Sequence, residues 1–275
     1  MSSVQSGCLW VVATPIGHRE DLSVRAIQTL REVAVIAAED TRHSRPLLVH
    51  HNVDTPLIAL HEHNERDAVD AIVHRMMGGE SVALISDAGT PLISDPGFRL
   101  VRAARAVGIR CIPVPGACAA IAALSVAGLP SDRFVFEGFL PPKTAARRSR
   151  LQELAGDART VIFYESSHRV AESLADMRDI FGAERQAVLA RELTKMFETV
   201  LGEPLAELTA RVVADPDQQR GEHVILVAGR SEEVDAKLAE GQRIFAILRE
   251  ELPPAKAAKM AAAITGAPRK LLYES

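Results

Sequence analysis

The sequence predicts an α/β protein with two α/β units and a small C-terminal helical extension. In the first 115 residues, short apolar runs alternate with amphipathic stretches, the pattern of βαβ units that build a largely parallel sheet. A second alternating series follows, and from about residue 231 the pattern is helical only. The expected domains are therefore residues 1–115, 116–230 and 231–275, with a Pro/Gly turn at 113–117 marking the first boundary.

The individual elements follow from these patterns in chain order. Strands are expected in the first unit at about 8–14, 33–38, 57–60, 82–86 and 110–114, and in the second at 134–139, 160–165, 187–192 and 223–229. Apolar residues spaced three and four apart predict helices at about 22–33, 44–51, 65–77, 97–108, 117–127, 145–155, 168–180 and 204–214. The extension shows helical stretches at 234–240, 243–251 and 253–266, with the outline of a helix-turn-helix. The direction of the second unit's strands does not follow from this pattern.

Composition limits the partners and the compartment. The chain has 275 residues with 32 basic and 36 acidic side chains, which give a net charge of −4. Any nucleic-acid-binding surface must therefore be confined to one part of the molecule. Eight Phe, two Tyr and one Trp are too few for a base-stacking platform. The longest apolar runs, 33–38 and 117–124, are far shorter than the roughly 20 residues of a membrane span. Cys8, Cys111 and Cys118 form no CxxC pair and fit a reducing cytoplasm, so a cytoplasmic protein is expected.

Several common site motifs are missing. The turn after the first strand, Thr14-Pro15-Ile16-Gly17, holds one glycine where a dinucleotide-binding turn needs GxGxxG. There is no GxxxxGK[ST] loop for a nucleotide hydrolase and no GxSxG elbow for a serine hydrolase. The nine histidines form no HExxH motif, so no metal is expected.

The best-placed ligand loop is SDAGTPLISDPGFR at 86–99, directly after the fourth strand. Ligands of open α/β sheets bind at the carboxyl ends of the strands, and Gly89 and Pro91 suit a loop that presents backbone groups. Asp87 and Asp95 are expected either to hold a hydroxyl pair or a positive centre, or simply to form turns. The small residues of PVPGACAA at 113–120 suit either close approach of a ligand or tight packing of a helix on the sheet.

Three charged clusters also follow strands: AEDTRHSR at 38–45, YESSHR at 164–169 and RELTKMFE at 191–198. Singly each fits a solvated loop, but three at equivalent strand ends indicate chemistry on a rigid scaffold. A fourth segment, KTAARRSR at 143–150, is basic and we expect no acid to oppose it, which favours either RNA contact or an exposed helix face. The basic helices of the extension leave the same two alternatives, RNA contact or a packing lid.

In their order and spacing, ATPIGHREDLS, AEDTRHSR, LISDAGTPLISDPG, VPGACAA, YESSHR, RELTKMFE and RGEHVILVAG resemble the ribosomal RNA small subunit methyltransferase I family, of the tetrapyrrole methylase superfamily. The resemblance covers about residues 8–230, and the tail matches the family's helical extension more loosely. Two positions depart from the family pattern: Cys118 stands for serine in VPGxSA, and Ser167 for proline in YESPHR. The wider superfamily often has aspartate where this chain has Thr90.

The resemblance implies a cleft between two α/β domains of the tetrapyrrole methylase type, with S-adenosylmethionine bound in it. It implies a homodimer that methylates the ribose 2′-OH of a decoding-centre cytidine in small-subunit (16S) ribosomal RNA, within the assembled subunit. Transferred residue by residue, the cofactor contacts would be Pro15, Asp87, Gly89, Thr90, Pro91, Ile93, Ser94, Ala117, Cys118, Ala119, Tyr164, Arg191 and Gly221.

Methyl transfer from a sulfonium needs alignment but no metal, and a ribose hydroxyl needs a base, a cation for the developing alkoxide, or both. The candidate bases are Asp40, Glu165 and Glu192, and the candidate cations are Arg42, Arg169, Arg191 and Lys195. Our first hypothesis gives catalysis to Glu192 and Lys195, and phosphate positioning to Arg42. RNA contacts are expected from Lys143, Arg147, Arg148, Arg150, His168 and Arg169.

Two alternatives stay open at this point. One is a methyltransferase of the same fold that acts on a tetrapyrrole or another small acceptor, which the AEDTR, YESSHR and RELTK motifs argue against. The other is an inactive ribosome-assembly binding protein, which the intact 86–99 loop disfavours and Cys118 keeps open. Transfer of label to ribosomal RNA discriminates all three.

Overall fold

The first half of the chain forms an entirely parallel sheet. The computed structural model describes residues 7–61, 65–230, 232–269 and 271–272. The sheet's strands are β1 (Cys8–Val12), β2 (Val35–Ala38), β3 (Leu57–Ala59), β4 (Val82–Ile85) and β5 (Arg110–Val114), in the order β3-β2-β4-β1-β5. The connecting helices are α1 (Val24–Glu32), α2 (Thr41–His50), α3 (Glu65–Met77) and α4 (Phe98–Ala106).

Helices cover both faces of this sheet. Leu9 and Leu84 pack on one face with residues of α3 and α4, while Val12 and Ile85 pack on the other with residues of α1. All four residues of β2 and all four of β4 are buried, which is why these strands appear in the sequence as continuous apolar runs without alternation. The carboxyl ends of the strands therefore share one edge, where the loops of interest emerge.

The second half forms a mixed sheet, which α5 (Ala119–Val126) links to the first. Its strands are β6 (Phe134–Phe139), β7 (Thr160–Ser166), β8 (Gln186–Arg191), β9 (Thr199–Pro204) and β10 (Glu222–Val227), in the order β6-β7-β10-β8-β9. Strand β10 runs antiparallel to both β7 and β8, whereas β6 and β7 are parallel. One face packs on α6 (Thr144–Leu154), α7 (Val170–Phe181) and α8 (Leu205–Ala214), and the other on α5.

Two elements differ from the sequence-based expectation. Strand β9 was not expected, because at this sheet edge Leu201 is the only one of its six residues that is buried, so no alternation marks it. The helices expected at 234–240 and 243–251 are one continuous helix, α9 (Glu232–Arg249). The helix continues through Gly241. A Cβ at this position would lie 2.8 Å from the Cβ of Ala267, so the glycine allows the two segments to pack closely.

The extension is a small helical unit with its own core. Helix α10 (Pro254–Thr265) packs against α9 through Phe245, Ala257 and Ala261. The α/β fold class with C-terminal helices, predicted from sequence, is confirmed. The domain boundaries at 115 and 230 stay a prediction, and the two sheets lie on either side of residue 115. Within the described ranges, every helix is too short or too polar to span a bilayer.

Candidate functional site

A cavity of about 390 Å³ lies between the two sheets. From the first half it is lined by Ile16 after β1, by residues 88–90 and 93–95 after β4, and by Cys118 and Ala119 after β5. From the second half it is lined by Phe139 at the end of β6, residues 164–167 of β7 and its following turn, Ala190, Leu193, and residues 221–224 of β10. The carboxyl edge of the parallel sheet therefore faces one edge of the mixed sheet, as the predicted cleft requires.

Backbone hydrogen bonds lock the loops on the first-half side together. The amide of Thr14 donates to the carbonyl oxygen of Gly89 (2.9 Å), and the amide of Gly89 donates back to Thr14 (3.2 Å). The Thr90 hydroxyl donates to the carbonyl oxygen of Ala117 at 2.9 Å. Threonine, at the position where the superfamily often has aspartate, thus joins the loop after β4 to the segment that enters α5.

Two loops at the cavity contain strained backbone. Leu92 and Ser94 have φ of 74° and 68°, and Glu192 and Thr194 have φ of 50° and 63°. Non-glycine residues seldom adopt this left-handed region, and such residues concentrate at functional sites. The turn that presents Ser94 and Asp95 to the cavity depends on this conformation.

Tyr164 forms an aromatic wall on the second-half side. Its ring makes edge contacts with Phe136 and Phe139, at centroid distances of 4.9 and 5.7 Å. Its hydroxyl accepts a hydrogen bond from the amide of Ala120 (3.2 Å) in the first turn of α5. Burial raises the pKa of Tyr164, so the side chain is a neutral phenol over the physiological range.

Asp95 places a carboxyl group in this largely apolar cavity. Burial raises its pKa to about 6, a hydrogen bond with Ser86 opposes the rise, and the nearby charge of Asp87 adds to it. Among the described residues, none of the ion pairs involves Asp95. The sequence-based cofactor set named Asp87 and not Asp95, although both were considered.

Eight of the thirteen predicted cofactor residues line the cavity: Gly89, Thr90, Ile93, Ser94, Cys118, Ala119, Tyr164 and Gly221. The other five, Pro15, Asp87, Pro91, Ala117 and Arg191, do not. The carboxylate of Asp87 accepts from the amide of Asp40 (3.1 Å), tying the loops after β2 and β4 together. Arg191 is 8% exposed and donates to the carbonyl oxygens of Arg220 and Phe197, so its side chain supports the neighbouring loops.

Glu192 and Lys195 form an ion pair behind the cavity wall. Lys195 Nζ lies 2.8 Å from Glu192 Oε1 and 2.9 Å from Glu222 Oε2, and Glu192 also accepts from the amide of Glu222. Burial by itself raises the pKa of Glu192, but these hydrogen bonds outweigh it and the pKa lies below its usual value. A carboxylate held in this way is a weak proton acceptor, and Gly221 and Glu222 rather than this pair line the cavity.

The other candidate bases and cations are also held by partners. The carboxylate of Glu165, fully buried, accepts from the Ser173 hydroxyl (2.6 Å) and from Arg169 (3.2 Å). Asp40 caps α2 by accepting from the amide of Arg42 (2.8 Å) and also pairs with its guanidinium, which holds the pKa of Asp40 far below its usual value. The Arg42 side chain itself is 90% exposed.

The basic segment at 143–150 faces acids from other elements, so the premise that no acid opposes it was wrong. Arg147 is only 2% exposed and donates to Asp176 of α7 at 2.7 Å, so it joins two helices. Arg148 pairs with Asp176 and Asp179, and Arg150 pairs with Glu137 and Glu153. Lys143 is exposed and enters none of the ion pairs between described residues.

Sequence reasoning left out several cavity residues, among them Ile16, Phe139, Leu193 and His223. A faint signal existed for Phe139, which ends an apolar strand just before a Pro-Pro turn. Burial lowers the pKa of His223, and its Nε2 bonds to the carbonyl oxygen of Gln218 (2.9 Å). Because a carbonyl can only accept, that nitrogen carries a proton.

The two halves approach each other closely at Gly17. A Cβ at this position would lie 2.6 Å from Cγ of Lys195, 2.7 Å from Oγ1 of Thr194 and 2.9 Å from the carbonyl oxygen of Leu193. The amide of His18 donates to the Thr194 hydroxyl (3.0 Å) at the same contact. Only a residue without a side chain fits here while the 192–198 loop stays in place.

We expect Gly17→Ala to lower the melting temperature and to weaken S-adenosylmethionine binding about tenfold, because overpacking costs about 1–3 kcal/mol and displaces the cavity wall. The control is Gly156→Ala, where the added Cβ meets nothing within 4 Å. Thermal melting and calorimetry of both variants measure the effect. Equal behaviour of the two variants would contradict the proposed role of this contact.

The fold and the cavity define a methyltransferase of the tetrapyrrole methylase class. The family described as Tetrapyrrole (Corrin/Porphyrin) Methylases matches residues 8–209, and the domain described as "RsmI C-terminal HTH domain" matches residues 235–274. A ribosomal RNA small subunit methyltransferase I from Pseudomonas aeruginosa is 61% identical over 273 residues, 98% of this chain and 97% of the relative. The one from Escherichia coli O157:H7 is 48% identical over 98% of this chain and 94% of the relative. The chain belongs to the ribosomal RNA small subunit methyltransferase I family.

Solved structures at low identity share the fold. The methyltransferase CobJ matches with a TM-score of 0.61 and 20% identity over 82% of this chain and 95% of its own. A uroporphyrin-III C-methyltransferase from Thermus thermophilus, complexed with S-adenyl homocysteine, matches with a TM-score of 0.56 and 15% identity over 81% and 97%. The predicted family, the fold, the enzyme class and S-adenosylmethionine as cofactor are thereby confirmed.

Proposed function

We propose that this enzyme methylates small-subunit ribosomal RNA, and that the acceptor is the ribose 2′-OH of a cytidine in the decoding centre. The proposal rests mainly on the cavity between the two sheets, which the 86–99 loop lines in part. It rests also on the membership of the chain in this family. The coarser part, methylation of small-subunit ribosomal RNA, agrees with the names of relatives 44–61% identical to this chain. The cytidine, the 2′-OH and the decoding centre are what the resemblance of the sequence motifs to this family implies.

The cavity fits S-adenosylmethionine in size and in chemistry. Its volume of about 390 Å³ falls in the usual range for small-molecule sites, roughly 300–1,000 Å³. Gly89, Ala119 and Gly221 leave backbone groups accessible, Tyr164 offers an aromatic wall, and Asp95 offers a negative charge. When bound, the cofactor supplies a methyl group on a positively charged sulfur.

The chain's contribution to the transfer is alignment and exclusion of water. Loops after β1, β4 and β5 are tied by backbone hydrogen bonds, so the first-half wall is preorganised. The ion pair of Glu192 and Lys195 holds the wall formed by Gly221 and Glu222. We therefore propose that this pair positions the site, a revision of the catalytic roles expected from sequence.

We propose that three exposed basic side chains, Arg42, Lys143 and His168, contact RNA phosphates. Arg42 lies beside the loop that Asp40 ties to Asp87. Lys143 follows the cavity residue Phe139 by four positions, and His168 directly follows the cavity residue Ser167. Of the other predicted contacts, Arg147, Arg148, Arg150 and Arg169 are engaged with acids. A homodimer and an assembled subunit as substrate complete the proposal.

Removing two of these cations should reduce the salt dependence of RNA binding. Each lost phosphate contact lowers the slope of log K against log salt by about 0.7–0.9, so we expect Arg42→Ala/Lys143→Ala to lower it by roughly 1.5. Filter binding to small-subunit RNA at several salt concentrations measures this. Arg110→Ala is the control because it removes an exposed arginine at the amino end of β5, the opposite edge of the sheet. An unchanged slope in the double variant would remove these residues from the interface.

Transfer of labelled methyl groups tests the function itself. Purified small subunits lacking the modification and free small-subunit RNA are each incubated with the enzyme and tritiated S-adenosylmethionine, and the nucleosides are then identified by mass spectrometry. We expect 2′-O-methylcytidine, with more label on the subunit than on the free RNA. Label on a base, or no label while calorimetry shows cofactor binding, would reject this acceptor and leave the fold and the cofactor standing.

A further inference from the structure

The Asp95 carboxyl is the most unusual charged group of the cavity. It follows Ser94, whose φ is 68°, and two residues later Gly97 caps α4, so the backbone fixes where the side chain lies. It is partly buried, in a cavity whose remaining first-half wall consists of small or apolar residues. Its polar neighbours are Ser86, Asp87 and, across the cavity, Tyr164.

No arginine or lysine among the described residues compensates this charge. Arg169 is engaged with Glu165 and the carbonyl oxygen of Leu140, and Lys195 is engaged with Glu192 and Glu222. The nearest charged neighbour, Asp87, is itself acidic. A buried carboxylate without a cation is unfavourable unless a ligand supplies the opposite charge.

The cofactor can supply that charge. S-adenosylmethionine is cationic at its sulfonium sulfur and at its α-ammonium group, whereas its adenine is uncharged. We propose that the Asp95 carboxylate binds a cationic group of S-adenosylmethionine, so that the cofactor binds to the enzyme in which Asp95 is ionised. This inference rests on the cofactor and not on the RNA acceptor, so it stands or falls independently of the proposed substrate.

The sign of the pH dependence follows directly. Without cofactor, the pKa of Asp95 is about 6, so the carboxyl is largely protonated at pH 5 and ionised at pH 7.5. A bound cation lowers that pKa, and binding near pH 6 therefore releases a proton. Cofactor affinity should rise with pH between 5 and 7 and then level off, by roughly tenfold across that interval.

The other titratable groups that line the cavity are Cys118, Tyr164, Glu165, Glu222 and His223. Tyr164 does not titrate in this range because burial raises its pKa. The Glu165 carboxylate is buried against Ser173 and Arg169, and Glu222 is largely exposed beside Lys195. Burial lowers the pKa of His223, and any titration of this side chain would persist in an Asp95 variant.

Isothermal titration calorimetry with S-adenosylmethionine, in two buffers of different ionisation enthalpy, tests the proposal on the unmodified enzyme. We expect proton release near pH 6, and an affinity at pH 7.5 about tenfold lower in Asp95→Asn with no dependence on pH. Asp132→Asn, which removes an exposed carboxylate outside the cavity, should behave as the unmodified enzyme. Thermal melting verifies that Asp95→Asn is folded.

S-adenosylhomocysteine separates the two cationic groups, because it keeps the ammonium and lacks the sulfonium. Dependence on Asp95 with both compounds places the carboxylate at the ammonium, and dependence with S-adenosylmethionine alone places it at the sulfonium. Binding by the unmodified enzyme without proton release near pH 6 would overturn the proposal, even if Asp95→Asn failed to fold. A pH dependence of the same size in a folded Asp95→Asn variant would also overturn it.

Discussion

Replacing Arg147 with methionine is expected to lower the free energy of unfolding by about 3–5 kcal/mol, the usual cost of removing one partner of a buried ion pair. Arg147 is 2% exposed, and its guanidinium donates to Asp176 at 2.7 Å and to Glu172 at 3.3 Å. These contacts join α6 to α7 beneath the mixed sheet. Without Arg147, the nearly buried carboxylate of Asp176 loses its buried partner. Its remaining partner is Arg148, which is partly exposed to solvent.

Urea unfolding at pH 7.5 measures this effect, and Arg148→Met is the matched control. Arg148 is the next residue on the same helix, contacts the same Asp176 and is 39% exposed, so its removal leaves the buried pair intact. We expect a much smaller change for Arg148→Met, because exposed ion pairs contribute little. Equal destabilisation by the two variants would show that Arg147 does not hold the helices together.

The contrast between Arg147 and Arg148 also shows which roles of the basic residues could be predicted from the sequence of the 143–150 segment. In the sequence, Lys143, Arg147, Arg148 and Arg150 lie in one stretch that contains no acid. Their partners lie on other elements, Asp176 on α7 and Glu137 on β6, and spacing along one segment contains no information about them. Local patterns therefore identified the helix, but the tertiary contacts decide that Lys143 is exposed and Arg147 is structural.

The fold was largely predictable because buried strands and helix faces require apolar residues, which can be recognised in the sequence. Strands β2 and β4 are buried on both faces and appear as uninterrupted apolar runs, so their positions and the loops that follow them were correct. Strand β9 lies at the sheet edge with a single buried residue, and nothing in its pattern separates it from a loop. Eight of the thirteen cofactor residues predicted from the family line the cavity, and their contact with the cofactor stays a prediction.

The individual side chains of the site were harder to predict. Asp87 and Asp95 both follow β4 and both suit turns, so residue type does not tell which one faces the cavity. The left-handed backbone of Leu92 and Ser94 turns the loop so that Asp95 lines the cavity, while Asp87 bonds to the amide of Asp40. These non-glycine residues give no sequence signal for positive φ.

Replacing Lys195 with methionine is expected to weaken cofactor binding and to slow single-turnover methyl transfer together, the latter about a hundredfold, because small displacements of a site can have effects of this size. Lys195 bridges Glu192 and Glu222 at 2.8 and 2.9 Å, and its methylene chain packs at Gly17. We expect the loss of Lys195 to free the part of the cavity wall near Glu222, which both halves of the chain hold in place. Calorimetry gives the cofactor affinity, and rapid quench with labelled cofactor and small subunits gives the rate.

Rescue distinguishes a positioning role from direct catalysis by Lys195. Lys195→Arg retains the charge and should restore most of the cofactor affinity, whereas a slow rate with normal affinity in Lys195→Met would indicate an ammonium that acts on the acceptor oxygen. The pH profile gives a second criterion, because the hydrogen bonds from Lys195 and from the Glu222 amide hold the pKa of Glu192 below its usual value. The pair therefore persists from neutral pH down to the acid range and is lost only as the pH falls through that lowered pKa. A rate that changes near pH 6 then does not arise from Glu192, and this step should be unchanged in Glu192→Gln.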